Sequence, residues 1–272
     1  MSVKIIATDL DGTLMSPDHI TVSERTKQTL LDAHNAGIKI AIATGRALNF
    51  TEGVTCQIPF ADYVICSNGA SVYDRNNNNF IYTNLISPEI TADAVKLLSG
   101  LPVYYNIYMD GKIYAQSGRE SYLENLDLPE VFIEEFSSKL TVCDDMCSAV
   151  EGKGAELVDV FYNAESEKVI FDFFNSKGLL TTSALAGVVS ATAVGSDKGT
   201  ALDGLCERLG ITAEETMAFG DASNDATMLN YAYFSFAMEN GDEICKKAAR
   251  FIAPSNGNEG VAQMVEKYVL DK

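Results

Sequence analysis

Four apolar runs along the chain stop abruptly at small polar residues. Residues 3–7 stop at Thr8-Asp9, residues 38–43 at Thr44-Gly45-Arg46, Tyr63–Cys66 at Ser67-Asn68-Gly69, and residues 217–219 at Gly220-Asp221. Short, near-continuous apolar runs predict strands buried on both faces, as in a parallel sheet. Phe234–Met238 and Phe251–Ala253 predict two more strands. Helical patterns lie between them. Thr21 and Glu24 have capping-box spacing, Leu30, Leu31 and Ala33 follow among charges, and Gly37 suits the exit. Lys198 precedes Ala201, Leu202, Leu205 and Leu209 at helical spacing, and Gly210 closes that run. The β-α-β-α alternation predicts an α/β protein with a Rossmann-like open parallel sheet. Ligands of such sheets bind beyond the C-terminal strand ends, so the four polar endings are expected to meet there.

The middle of the chain has a different pattern. Residues 103–109 and Lys112–Gln116 alternate and are joined by Asp110-Gly111, a strong hairpin signal. Residues 158–162 predict a strand, and residues 166–177 predict a helix ending at Gly178. Strands and helices do not alternate regularly here. We therefore expect an inserted α+β domain at 84–189 and a discontinuous core built from 1–83 and 190–272. The four asparagines at 76–79 are expected at a hairpin tip. No internal repeat is evident.

A chain of 272 residues is long for one domain, and its 47% hydrophobic residues suffice for a sizeable core. No apolar run approaches the roughly 18–20 residues of a membrane helix. The start, Met1-Ser2-Val3-Lys4, lacks the apolar stretch of a signal peptide, so a cytoplasmic protein is expected. The net charge of −18 argues against nucleic acid, which demands a basic stripe, and against anionic membranes. It suits a site that holds a divalent cation. The six cysteines form neither a CxxC pair nor a zinc set with histidine, so reduced thiols are expected. His19 and His34 show no ligand pattern and are read as surface or helix residues. Tyr104, Tyr105 and Tyr108 are read as packing.

The chemistry concentrates in Asp9-Leu10-Asp11-Gly12-Thr13-Leu14, which directly follows a predicted buried strand. Two carboxylates two residues apart on a turning backbone can face one site. One can attack phosphorus, and the other can donate a proton to the leaving oxygen, an effect of about 10²–10⁴-fold. Gly12 lets backbone N–H groups approach a phosphate.

This string resembles motif one of the haloacid dehalogenase-like superfamily, in its phosphatase branch, where the second aspartate favours phosphoryl chemistry. Thr44-Gly45-Arg46 resembles motif two. Lys198, within Ser196-Asp197-Lys198-Gly199-Thr200, resembles motif three. Gly220-Asp221-Ala222-Ser223-Asn224-Asp225 resembles the acidic motif four. About 150 residues separate motifs two and three, room for the large α/β cap of the Cof-type branch. Ser67-Asn68-Gly69-Ala70, Phe236-Ala237-Met238-Glu239-Asn240 and Asn258-Glu259-Gly260 match further, with Glu239 standing where the family pattern has Gly.

The resemblance implies a Mg²⁺-dependent phosphatase acting on a small phosphorylated metabolite, with sugar phosphates favoured. Asp9 is then the nucleophile, Asp11 the acid and base, and Lys198 the partner of phosphate and nucleophile. Gly12, Thr44, Gly45, Arg46, Asn68, Lys198 and Asn224 are the expected phosphate and substrate contacts. Mg²⁺ is expected on Asp9, Asp221 and the backbone carbonyl of Asp11, with Asn224 and Asp225 orienting its waters. Acid catalysis further requires Asp11 to carry a raised pKa. The insert is expected to select the substrate. A phosphomutase and a receiver-like phosphate sensor are the alternatives.

Overall fold

The computed structural model describes residues 2–119, 130–182 and 187–271. In chain order the strands are β1 (Ile5–Thr8), β2 (Lys39–Ala43), β3 (Tyr63–Cys66), β4 (Ser71–Asp74), β5 (Asn79–Thr83), β6 (Tyr104–Met109), β7 (Lys112–Gln116), β8 (Leu140–Cys143), β9 (Leu157–Phe161), β10 (Leu180–Thr182), β11 (Val188–Thr192), β12 (Thr216–Gly220), β13 (Phe234–Met238) and β14 (Phe251–Ala253). They divide between two compact units. The first comprises Met1–Arg46, Thr51–Tyr82 and Asp197–Lys272, and the second Ala47–Phe50 and Thr83–Ser196.

The first unit is an α/β layer structure around one sheet of order β14-β13-β12-β1-β2-β3-β4-β5. β1 runs parallel to both β2 and β12, and parallel pairing continues outward to β3 and β14. β4 turns back antiparallel to β3. β1 and β12 are buried along their whole length, which is why they read as unbroken apolar runs. Ala7, Ala43, Ile65 and Ala218 pack in one cluster with Ala201, Leu202 and Leu205 of the helix Lys198–Leu209. The chain winds away from β1 through β2 on one side and from β12 through β13 on the other, so β1 and β12 flank the reversal of strand order where α/β sheets bind ligands.

Local signals were read correctly in type but not always in detail. The helix Glu24–Asn35 is capped by Ser23, whose hydroxyl accepts from the Thr26 N–H. The expected cap, Thr21, instead donates to Asp18 Oδ2 at 2.6 Å. The hairpin β4–β5 carries the asparagine run at its turn, where the N–H groups of Asn76 and Asn77 reach Asp74 Oδ1.

The second unit contains a sheet of order β10-β11-β9-β6-β7-β8. β6 and β7 meet at Asp110 and Gly111, both at positive φ (52° and 71°), as a two-residue primed turn requires. One face of this sheet, including Tyr105, Ile107, Val158 and Val160, packs with Val95 and Leu98 of the helix Pro88–Ser99 and with Ile170 and Phe174 of the helix Ala164–Ser176. β11 pairs with β9 and β10 on either side of the expected boundary at 189/190, so its whole length belongs to this sheet.

Gly69 couples a turn of the first unit to its principal helix. Its φ is +93°, and a Cβ there would sit 2.2 Å from the Asp197 carbonyl oxygen. Asp197 in turn caps the helix that Lys198 begins, accepting from the Thr200 N–H at 2.9 Å. Gly69→Ala is expected to destabilise by at least the roughly 1–3 kcal/mol of a strained left-handed residue, read as a lowered urea midpoint with unchanged m-value.

Candidate active site

The register of β1 on β12 pairs Thr8 with Phe219, and the Asp9 N–H continues the ladder onto the Phe219 carbonyl at 3.0 Å. Asp9 and Asp221 therefore leave adjacent strand ends together. The chain after Asp9 turns tightly, and Gly12, at φ +75°, passes so close to Asp221 that a Cβ would lie 2.2 Å from its Oδ2. Only glycine permits that approach. Next to it the Thr13 hydroxyl donates to Asp221 Oδ1 at 2.7 Å, and Asn240 Nδ2 donates to the Gly12 carbonyl at 2.8 Å.

Lys198 occupies the first turn of its helix and is buried, with 1% of its surface exposed. Its Nζ donates to Asp9 Oδ1 at 2.7 Å and to Asp225 Oδ1 at 2.6 Å. Asp225 turns its other oxygen to the N–H groups of Asp221 and Ala222 at 2.9 and 3.0 Å. One carboxylate thus fixes both the lysine and the loop after β12. Carboxylate oxygens of Asp9, Asp221 and Asp225 lie within 4.8 Å of one another. Burial drives the Asp9 carboxyl well above its ordinary range; Lys198 opposes that, while Asp225 and Asp221 add to it. Asp221 is pushed up to about 6, mainly by burial, against the Thr13 hydrogen bond. Burial works against the charge on Lys198, but Asp225 and Asp9 outweigh it and raise the ammonium pKa.

One expectation, a raised pKa, needs correction at Asp11. Its carboxylate is gripped by Arg46, Nε at 2.9 Å and Nη2 at 2.6 Å, a two-pronged pair, and His19 Nδ1 stands 3.6 Å from Oδ1. Burial favours its neutral form, but His19 and Arg46 outweigh that and hold the pKa below the usual carboxylate value rather than above it. Arg46, expected to reach toward substrate, spends its guanidinium edge on Asp11. The contact with Asp11 likewise raises the His19 pKa. His19 is a surface residue, as expected, and still stands beside Asp11. Nothing in its spacing reveals it, because an irregular segment folds it back onto Asp11.

The second and third strand ends contribute backbone and amide groups. The Thr44 N–H donates to the Ile65 carbonyl at 2.9 Å, and its hydroxyl oxygen accepts from the Arg46 N–H at 3.1 Å. Asn68, at φ 55°, accepts on Oδ1 from Asn224 Nδ2 at 3.0 Å. The same oxygen lies 3.1 Å from where a Cβ on Gly45 would project. Asn224 thus ties two loops together rather than pointing only at the acidic cluster. The structure brings Asp9, Asp11, Gly12, Thr44, Gly45, Arg46, Asn68, Lys198, Asp221, Asn224 and Asp225 into the first unit. Thr13 and Asn240 join them, although the sequence alone assigned them no role.

Residues 6–265 match the haloacid dehalogenase-like hydrolase family. The chain belongs to that family. It is 25% identical to the 5-amino-6-(5-phospho-D-ribitylamino)uracil phosphatase YcsE of Bacillus subtilis, over 99% of this chain and 97% of that one. It is 27% identical to the phosphatase YwpJ of the same organism, over 97% and 99% of the two chains. Among solved structures, a haloacid dehalogenase-like hydrolase of Bacteroides thetaiotaomicron superposes with a TM-score of 0.83 at 23% identity, covering 98% of this chain and 99% of the other. A subclass IIB sugar phosphatase superposes with a TM-score of 0.78 at 24% identity, covering 98% and 99%. These structural likenesses bear on the fold. No helix among the described residues is long and apolar enough to cross a membrane.

Two measurements follow. Lys198→Met leaves two buried carboxylates without their cation, so a loss of about 3–5 kcal/mol is expected at neutral pH, shrinking in acid as Asp9, whose pKa is raised, takes a proton; denaturant titrations at both pH values check it. Asp221 holds its proton more tightly folded than unfolded, so its contribution to stability is full below about 3.8 and is lost as pH rises through about 6. In chelator the urea midpoint should fall across that window, and Asp221→Asn should remove that component of the fall.

Proposed function

We propose that the chain is a Mg²⁺-dependent phosphatase that hydrolyses a small phosphorylated metabolite, a sugar phosphate favoured, through an aspartyl-phosphate on Asp9. The observation that carries this reading is the buried Asp9 carboxylate, oriented by Lys198 at 2.7 Å, with a second acid two residues on. The relatives named as phosphatases support the same chemistry.

The donor set fits a hard divalent cation. It offers clustered carboxylate oxygens, and the crowding and burial that raise Asp9 and Asp221 are what a nearby cation would relieve. Asp9, Asp221 and the Asp11 carbonyl would hold it, with Asp225 and Asn224 ordering the residues around them. When bound, Mg²⁺ offsets the repulsion between carboxylate and phosphate, about 4 kcal/mol for two unit charges 4 Å apart at an effective dielectric of 20.

The protein's own groups then divide the work. Lys198 fixes the Asp9 carboxylate for attack on phosphorus, forming an Asp9 O–P bond as the ester O–P bond breaks. The Thr44 hydroxyl and Gly45 N–H donate to the transferring phosphoryl oxygens. Asp11 gives its proton to the departing oxygen and later takes one from the water that cleaves the Asp9 O–P bond. Because Arg46 holds Asp11 ionised, protonation requires that this pair loosen, and a phosphate dianion competing for the guanidinium is a natural means. Selection of the leaving group is assigned to the insert.

Asp9→Asn should abolish hydrolysis of p-nitrophenyl phosphate in Mg²⁺ while leaving the thermal midpoint within a few degrees. Chelator should suppress the unmodified enzyme reversibly. Substantial turnover by the variant, or full activity in chelator, defeats the respective assignment.

A further inference from the structure

His19 lies in an irregular segment whose shape is closely determined. The Ser16 N–H donates to the Thr21 carbonyl at 2.8 Å, and inside that loop the His19 N–H donates to the Ser16 carbonyl at 2.9 Å. Asp18 Oδ1 accepts from the N–H groups of Ile20 and Thr21, both at 2.9 Å. Two residues distant in sequence clasp the segment at its ends. Asn256 Nδ2 donates to the Met15 carbonyl at 3.0 Å. Gln57 Nε2 donates to the Ile20 carbonyl at 2.8 Å, and its Oε1 accepts from the Val22 N–H at 2.9 Å. His19 itself takes φ 58°, an uncommon conformation for a residue with a side chain. Such conformations persist where the surroundings over-determine them, and they cluster at functional sites. Asp11, His19, Arg46, Gln57 and Asn256 all belong to the first unit.

The segment delivers one side chain to the site. His19 Nδ1 stands 3.6 Å from Asp11 Oδ1, just beyond hydrogen-bond reach. That oxygen already accepts from Arg46 Nη2 at 2.6 Å, and Oδ2 accepts from Arg46 Nε. Burial does not explain the placement, because 45% of the His19 side chain is exposed. Once a phosphate draws the guanidinium away, both oxygens lose that donor, and the terminal torsion of an aspartate is soft. A carboxyl that protonates a departing oxygen must nevertheless keep one orientation. While it donates through one oxygen it can accept through the other. His19 Nδ1 is already placed beside Oδ1 to supply that hydrogen bond.

We propose that His19 is a positioning residue for Asp11: its Nδ1–H closes onto Asp11 Oδ1 when Arg46 engages the phosphate, and so aims the Oδ2 hydroxyl at the departing oxygen. The Oδ2–H bond breaks as the leaving oxygen gains the proton. The ester O–P bond breaks as the Asp9 O–P bond forms, and His19 keeps its own proton throughout. This role deepens the phosphatase reading and rests on it. It asks of residue 19 a hydrogen-bond donor and not a charge.

The experiment measures kcat/KM, which reports the steps through loss of the leaving group, for the full chain in Mg²⁺ on two aryl phosphates of similar shape. p-Nitrophenyl phosphate releases a stable anion that needs little help from an acid, whereas phenyl phosphate releases a poorer one that needs more. His19→Gly removes the donor and suits the backbone at φ 58°. It should lower kcat/KM on phenyl phosphate by about tenfold, the equivalent of one hydrogen bond of about 1.4 kcal/mol, and on p-nitrophenyl phosphate by no more than about twofold. His19→Asn tolerates the same φ and places an amide donor near the position of Nδ1, so it should recover most of the loss. Should His19→Gly not fold, His19→Ala carries the same comparison. Equal losses on both esters, no loss on either, or a His19→Asn variant no better than His19→Gly overturns the proposal. If the unmodified protein hydrolyses neither ester, the phosphatase reading fails and this role with it. If it hydrolyses both and one of those three results appears, only the role of His19 fails.

Discussion

The fold of the first unit is organised around a lysine ammonium buried between two carboxylates. Lys198 Nζ sits 2.7 Å from Asp9 and 2.6 Å from Asp225. Removing such a charge from water costs several kcal/mol, which attraction offsets only when geometry is good and the remaining lone pairs are satisfied. For Asp225 they are, because its other oxygen accepts from two backbone N–H groups of the loop after β12. The end of β1, the start of one helix and one loop must therefore arrive together. An arrangement that stabilises no more than well-packed apolar residues would is explained by what it positions.

Asp11 lives under a different constraint. Its pair with Arg46 uses both carboxylate oxygens, and His19 stands at one of them. An acid so held resists taking a proton, which is the opposite of a poised donor. The same contacts keep it ionised, the form a base must have, while weakening it as a base. One residue can serve both halves of a two-step transfer only if its surroundings differ between them. Arg46 is the group whose alternative partner, a phosphate, could make that difference.

The strand ends were legible because burial on both faces writes a continuous apolar run, and the polar residue that stops it is conspicuous. Asp9, Thr44, Asn68 and Asp221 stand at such endings, whereas Lys198 is singled out by its resemblance to motif three and not by its place at a helix start. What escaped were relations between segments. Ser23 and Thr21 are equally good caps by composition, and only the path of the chain past Asp18 separates them. The low pKa of Asp11 depends on a guanidinium 35 residues away. That Asn106 in β6 lies beside Asp159 in β9, and Asp159 beside Ser190 in β11, is equally invisible in sequence, since register alone creates it. Periodicity reports what one element does, while pairing reports what two elements do to each other.

The first unit is assembled from both ends of the chain, and Asp9 meets a lysine 189 positions downstream. A ribosome therefore releases β1 and β2 long before β12 exists to lie beside β1. The intervening residues of the second unit, apart from Ala47–Phe50, are contiguous and can collapse as soon as they emerge. Nascent β1 can pair with β2 early but meets β12 only in the last quarter of translation, so closing the loop over that span falls late in assembly.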